Sequence, residues 1–136
     1  MAALGMRPFL ARTIAVSLAD GQYFPVFSAG LPAVPTTCDE ILSMFCTDNR
    51  DGWARLIVAE GIKSAENTRY HTKGNLPIRV SQSLAKPYKP ERVDVQFVLN
   101  DDLNLEISGR GATRTEEDHA RAMITDLCFG LSLEVV

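Results

Sequence analysis

The sequence has no surplus of basic residues, no apolar run long enough to span a membrane, and only 3 cysteines and 2 histidines from which to build a reactive or metal-binding site. Each shortage excludes something. With 14 Lys and Arg against 17 Asp and Glu, a formal net charge of −3, there is no excess cation to neutralise a phosphate backbone, and nucleic acid is not an expected partner. A membrane-spanning helix needs roughly 20 consecutive apolar residues, and none occurs. Pro8 and Arg12 interrupt Met1–Leu18, so no continuous apolar segment follows Arg7 as a secretory signal requires. A soluble, cytoplasmic protein is expected. Cys38, Cys46 and Cys128 cannot all pair and form no CxxC, so buried free thiols are the simple reading.

The usual signs of catalysis are missing too. Neither GxxxxGK[ST] nor GxGxxG occurs, and no cofactor is expected in this chain. His71 lies in a polar stretch and His119 on the polar face of a helical pattern, where exposed imidazoles are the simple reading. Cys38, Cys46 and His71 lack the close ligand pairs of a structural zinc site. The acid pairs Asp39-Glu40, Asp101-Asp102 and Glu116-Glu117 read as turn or cap residues. An enzyme is not expected. It would need the polar Gly61–Gly74 connection to organise His71 with Glu66 and a nucleophile that cannot be named.

What is present is a chain of the right size and apolar content for one domain, 136 residues with 46% hydrophobic and 23% charged. Thr13–Leu18 is a β-branched run, and Asp20-Gly21 separates it from Tyr23–Ser28, the signature of a tight hairpin because Gly accepts positive φ without steric cost. Pro25 in the returning strand suggests an edge or a bulge. Gly30–Thr37 reads as a loop, Ile41–Thr47 as a third strand, Asp48–Gly52 as a polar turn, and Trp53–Glu60 as a strand whose Leu56–Ala59 segment suits a sheet centre. Gly61–Gly74 reads as a long irregular connection. Period two is clearest at Val93, Val95, Phe97 and Leu99, and it resumes at Leu103, Leu105 and Ile107 after Asn100-Asp101-Asp102. At least six mostly antiparallel strands are expected.

Near the C-terminus the period changes. Thr115 as a cap, acidic residues after it, and Ala120, Met123, Ile124 and Leu127 at helical spacing predict a helix over Thr115–Phe129 with Gly130 as its stop. The expected fold is thus mainly β, a two-layer antiparallel β-sandwich with one C-terminal helix. Residues 1–12 form a leader or edge segment, 13–110 the sandwich, and 111–136 the helix and tail, with Leu131–Val136 strand-like.

Taken in order, TIAVSLADGQYFPVFSAG, the loop ending in Pro35, ILSMFCT running into DNR, LIVAEG, Asn67 and VDVQFVLNDDLNLEISG resemble the β-subdomain of the peptide-binding domain of the seventy-kilodalton heat-shock chaperones, over residues 13–110. The resemblance implies a sandwich whose loops at one end clasp an extended, apolar peptide. By position, Ala19 and Phe45 match the pair arching over the bound backbone. Val16, Leu42, Ala54 and Leu56 match the pocket lining, Ser43 matches a backbone-contacting position, and Leu18 belongs to the clasp. Each of these residues also has a plain reading as core. Met1–Arg12 resembles neither the family's ATPase domain nor its linker, and most of its helical lid has no counterpart. The resemblance therefore implies a fragment or divergent relative of a heat-shock chaperone lacking its ATPase domain, which would be a partner in a full-length protein.

Two functions follow from these features. One is chaperone-type binding of extended apolar peptides of unfolded proteins, which needs small and apolar pocket residues and free backbone groups. The other is a β-sandwich protein–protein interaction module whose groove is closed by Phe45 and Trp53.

Overall fold

Asp20-Gly21, Asp48–Gly52 and Asn100–Asn104 punctuate runs of apolar residues, and in the computed structural model each becomes a reversal of the chain between strands. The structure describes residues 8–34, 37–63, 67–86 and 89–130. In chain order the strands are β1 (Phe9–Leu10), β2 (Thr13–Ser17), β3 (Tyr23–Phe27), β4 (Asp39–Cys46), β5 (Trp53–Lys63), β6 (Thr68–Arg79), β7 (Glu91–Leu99), β8 (Leu105–Gly111), β9 (Ala120–Ile124) and β10 (Phe129–Gly130). Their pairings are antiparallel. Two four-stranded sheets, ordered β3-β2-β5-β6 and β4-β7-β8-β9, pack together as a mainly β sandwich, and β1 with β10 makes a small ribbon.

Alternation explains the layers. Ile14, Val16, Val58, Leu76 and Ile78 from the first sheet meet Val93, Val95, Phe97, Leu99, Leu105 and Ile107 from the second, all buried in one cluster. Removing such a side chain from water is worth roughly 1.5–3 kcal/mol, so the inward rows fix the register and the outward rows follow. A slip of one residue would turn every one of them to solvent. Pro25 lies on the edge strand β3, where its missing N–H costs no ladder bond, and the pairing skips a residue between Ile14–Phe27 and Ala15–Pro25. Leu103 is half-buried in the β7–β8 turn at φ +63°, outside the strand expected for it. The turn is held by Asn100, whose Oδ1 accepts the N–H groups of Asp102 and Asn104, each at 3.0 Å.

Three expectations are corrected. Gly61–Gly74 is not an irregular connection: β5 continues to Lys63, and β6 begins at Thr68 and pairs with it from Thr68–Lys63 onward. Residues 64–66, which include Glu66, lie outside the described residues. Periodicity failed here because β6 is an edge strand whose pairing skips Lys73, so its polar stretch never shows a clean alternation.

The helix over Thr115–Phe129 is also absent. Glu116–Asp118 is a single 3-10 turn, Thr115 makes no side-chain cap, and Ala120–Ile124 is strand β9 on the open side of β8. Ala120 and Ile124 face inward in either conformation, so five residues could not separate a period of 3.6 from one of two. The backbone groups at the β8 edge, supplied by a distant part of the chain, decide for the strand.

Within the span 1–12 read as a leader, Leu10 is 2% exposed and belongs to the core. Its N–H donates to the Leu31 carbonyl at 3.0 Å, and Ala11 N–H donates to the Cys128 carbonyl at 3.0 Å, so this strap closes the sandwich end beside β10. Below it Glu60, 2% exposed, accepts the Cys128 N–H at 3.1 Å and lies 3.5 Å from Arg12 and 3.6 Å from Lys73. A hydrogen bond from Lys73 to Asp126 at 2.7 Å holds the ammonium above its ordinary value. Leu131–Val136 and Pro35 lie outside the described residues. No helix of the described residues is long and apolar enough to cross a membrane.

Candidate functional site

At the opposite end of the first sheet, two turns stand over the junction between the layers. The β2–β3 turn is closed by Leu18 N–H to the Gln22 carbonyl at 2.8 Å and Gly21 N–H to the Leu18 carbonyl at 3.0 Å, with Gly21 at φ +82°. Only glycine holds that conformation without strain. The β4–β5 turn is anchored from below by Asn49, 3% exposed, whose side-chain amide donates to the carbonyls of Ser81 at 2.9 Å and Lys89 at 3.0 Å. Gly52 N–H closes on the Asn49 carbonyl at 3.1 Å. Asp48 with Arg50 and Asp51 with Arg55 form ion pairs at 2.8 Å, which hold both carboxyls below their ordinary values and leave the turn's rim charge-matched.

Between the turns lies a cleft of about 580 Å³. Its floor is core: Leu56 and Ile78 from the first sheet, Val93 and Val95 from the second. Leu18 and Ala19 form one wall, Met44, Phe45 and Cys46 another, and Ala54 with Trp53 lies between them. Arg79 lies over the Trp53 ring at 4.5 Å, a cation–π contact that fixes the indole. The cleft stays open because β2 pairs with β5 only from Thr13–Gly61 to Val16–Val58, while β5 continues back to Trp53. Phe45 is 64% exposed at the mouth. Burial, with the carboxylates of Asp48, Asp51 and Glu91 nearby, pushes the Cys46 thiol up despite a hydrogen bond to the Asp48 backbone, which favours the neutral thiol in the cleft wall.

Five of the residues singled out by sequence meet here: Leu18, Ala19, Phe45, Ala54 and Leu56. Three do not. Val16 is fully buried where the two sheets are closed, so it is core. Leu42 is half-buried against the core, further back along β4. Ser43 faces outward and donates its hydroxyl to Asp94 at 2.8 Å. Sequence reasoning missed Met44, Trp53 as lining, and the floor residues Ile78, Val93 and Val95. Met44 was findable, because it keeps step with Leu42 and Cys46 on the inward row of β4. Ile78 was findable too, because Leu76, Ile78 and Val80 alternate with Pro77 and Arg79 beyond the residue that β6's pairing skips.

A hollow of about 620 Å³ lies on the outer face of β7–β9, where Gln96, Glu106, Ser108, His119 and Arg121 stand among Val98, Ile107, Ala122 and Met123; unlike the cleft, it does not lie between the two turns that the sequence singled out. His119 Nδ1 is 2.9 Å from Glu116, and His71 is exposed on β6. Among the described residues no group of His, Cys, Asp or Glu is placed to hold a metal. A scan against models of protein families gives no match, and neither does a search of curated proteins.

Proposed function

We propose that this chain binds extended, apolar peptide segments such as unfolded proteins expose, in the cleft between the β2–β3 and β4–β5 turns. The observation that carries this reading is an open apolar cleft whose floor is the sandwich core itself. Val80 N–H donates to the Gly52 carbonyl across β5 and β6, so by alternation Arg55 turns its own N–H and C=O to the other side, where pairing with β2 has ended. An extended segment there finds backbone partners, and its aliphatic side chain finds the hole over Leu56 and Ala54. The resemblance of residues 13–110 to the heat-shock peptide-binding subdomain points to the same end of the sandwich. Charge-matched rims and apolar walls give broad preference, not a single sequence. The openness of the cleft favours this reading over an interaction module with a closed groove.

Titration with a panel of unrelated apolar heptapeptides is expected to show binding to many of them in the micromolar range. Ala54→Phe is expected to abolish that binding while leaving the thermal midpoint nearly unchanged, because a ring filling an open cleft avoids the roughly 1–3 kcal/mol of overpacking strain of a closed core. Binding to none of the panel, or binding retained in a folded Ala54→Phe, overturns the assignment.

A further inference from the structure

Among the described residues the two open sheets have four edges, and three of them carry a feature that discourages pairing. β3 has Pro25 and a skipped residue, β6 has Pro77 and skips Lys73, and β9 is short and carries Arg121. β4 differs. It runs Asp39–Cys46 in unbroken register with β7, it contains no proline, glycine or skipped residue, and its charges, Asp39 and Glu40, are confined to its first two residues. Its outward side chains include Ile41 at 65% exposure and Phe45 at 64%, the kind of regular apolar edge that templates another strand.

The hydrogen-bond phase of that edge is fixed. Leu99 N–H donates to the Cys38 carbonyl at 2.9 Å, so Cys38 faces β7, and by alternation Glu40, Leu42, Met44 and Cys46 do as well. Asp39, Ile41, Ser43 and Phe45 therefore direct their N–H and C=O groups outward. A strand pairing here must match this odd-numbered set. A second copy of β4 does so in antiparallel orientation about Ser43: Ser43 faces Ser43, and Ile41 faces Phe45 twice. Both exposed apolar side chains are thereby covered by a cross-strand partner. The acidic end chooses the orientation. Parallel pairing in register would set Asp39 and Glu40 beside their own copies. Antiparallel pairing about Ser43 moves the two Asp39 residues roughly 27 Å apart along the strands.

We propose that β4 is a self-association edge, through which two copies form a two-fold dimer with one continuous eight-stranded sheet. The interface is isologous, as a closed dimer requires. It lies beside the peptide cleft and shares Phe45 with it, but Ile41 is outside the cleft lining.

Sedimentation velocity over a concentration series is expected to show the chain at twice its monomer mass. Ile41→Lys, on a solvent-exposed position, is expected to keep the circular dichroism spectrum and thermal midpoint and to sediment as a monomer. In a background with Cys46→Ser and Cys128→Ser, Ser43→Cys is expected to form a disulfide-linked dimer under mild oxidation. A hydrogen-bonded antiparallel pair sets its Cα atoms about 5.5 Å apart, within disulfide reach. A monomer at every concentration, a dimer unaffected by Ile41→Lys, or a dimer whose Ser43→Cys form does not cross-link would each overturn the proposal. None of these outcomes depends on the heptapeptide titration.

Discussion

Glu60 and Glu91 are carboxylates inside the sandwich, and their surroundings differ. Glu60 has two cations within 4 Å, whereas Glu91, 6% exposed, is held by neutral donors: Ser81 N–H at 3.0 Å and the Thr113 hydroxyl at 2.7 Å. Burial alone pushes the Glu91 carboxyl up, but these bonds outweigh it and hold the group below its ordinary value. A carboxyl depressed on folding stabilises the protein above its unfolded-state value, and that contribution is lost as pH falls through the folded-state value. Glu91→Gln keeps the shape but turns a donor toward groups that need an acceptor. It is expected to cost about 1–3 kcal/mol near neutral pH, with the gap to wild type narrowing on acidification below the ordinary carboxyl range. Urea denaturation at a series of pH values measures both, and a gap constant with pH would show that the ionised form contributes nothing. Glu91 keeps step with Val93 and Val95, so its inward direction was legible. Its donors, 10 and 22 residues away in sequence, were not.

The Asp48–Gly52 turn reads from sequence as a generic polar reversal, yet its position depends on Asn49 reaching two carbonyls in the connection between β6 and β7. Asn49→Ala removes both hydrogen bonds, at an expected cost of about 0.5–1.5 kcal/mol each. It also frees one wall of the cleft, so heptapeptide affinity should fall together with the thermal midpoint; an unchanged affinity would mean that the turn does not shape the site. At this scale the hairpins were legible, because Asp20-Gly21 and the Val93–Ile107 alternation each carry a local reason for their geometry. β6 and β9 were not. The first is an edge strand with a skipped residue, and the second spells a helix face as readily as a strand.

Across the whole molecule, protection should follow sheet order. β7 is flanked by β4 and β8, and β5 by β2 and β6, while β3 and β9 each have one neighbour. Amide hydrogen exchange is expected to be slowest in β7 and β5 and markedly faster in β3 and β9. Equal rates in β7 and β9 would contradict the strand order. The sequence by itself determined the class of the fold and most of its inward rows. Alternation and turn chemistry act over a few neighbours and need nothing from the rest of the chain. Only the tertiary structure decided that Leu10 is core, that Ala120–Ile124 extends a sheet, and that Val16 is sealed while Ala54 is open. Each of these depends on which distant segment lies alongside, and on where the pairing between β2 and β5 stops. A residue's own neighbours do not encode either.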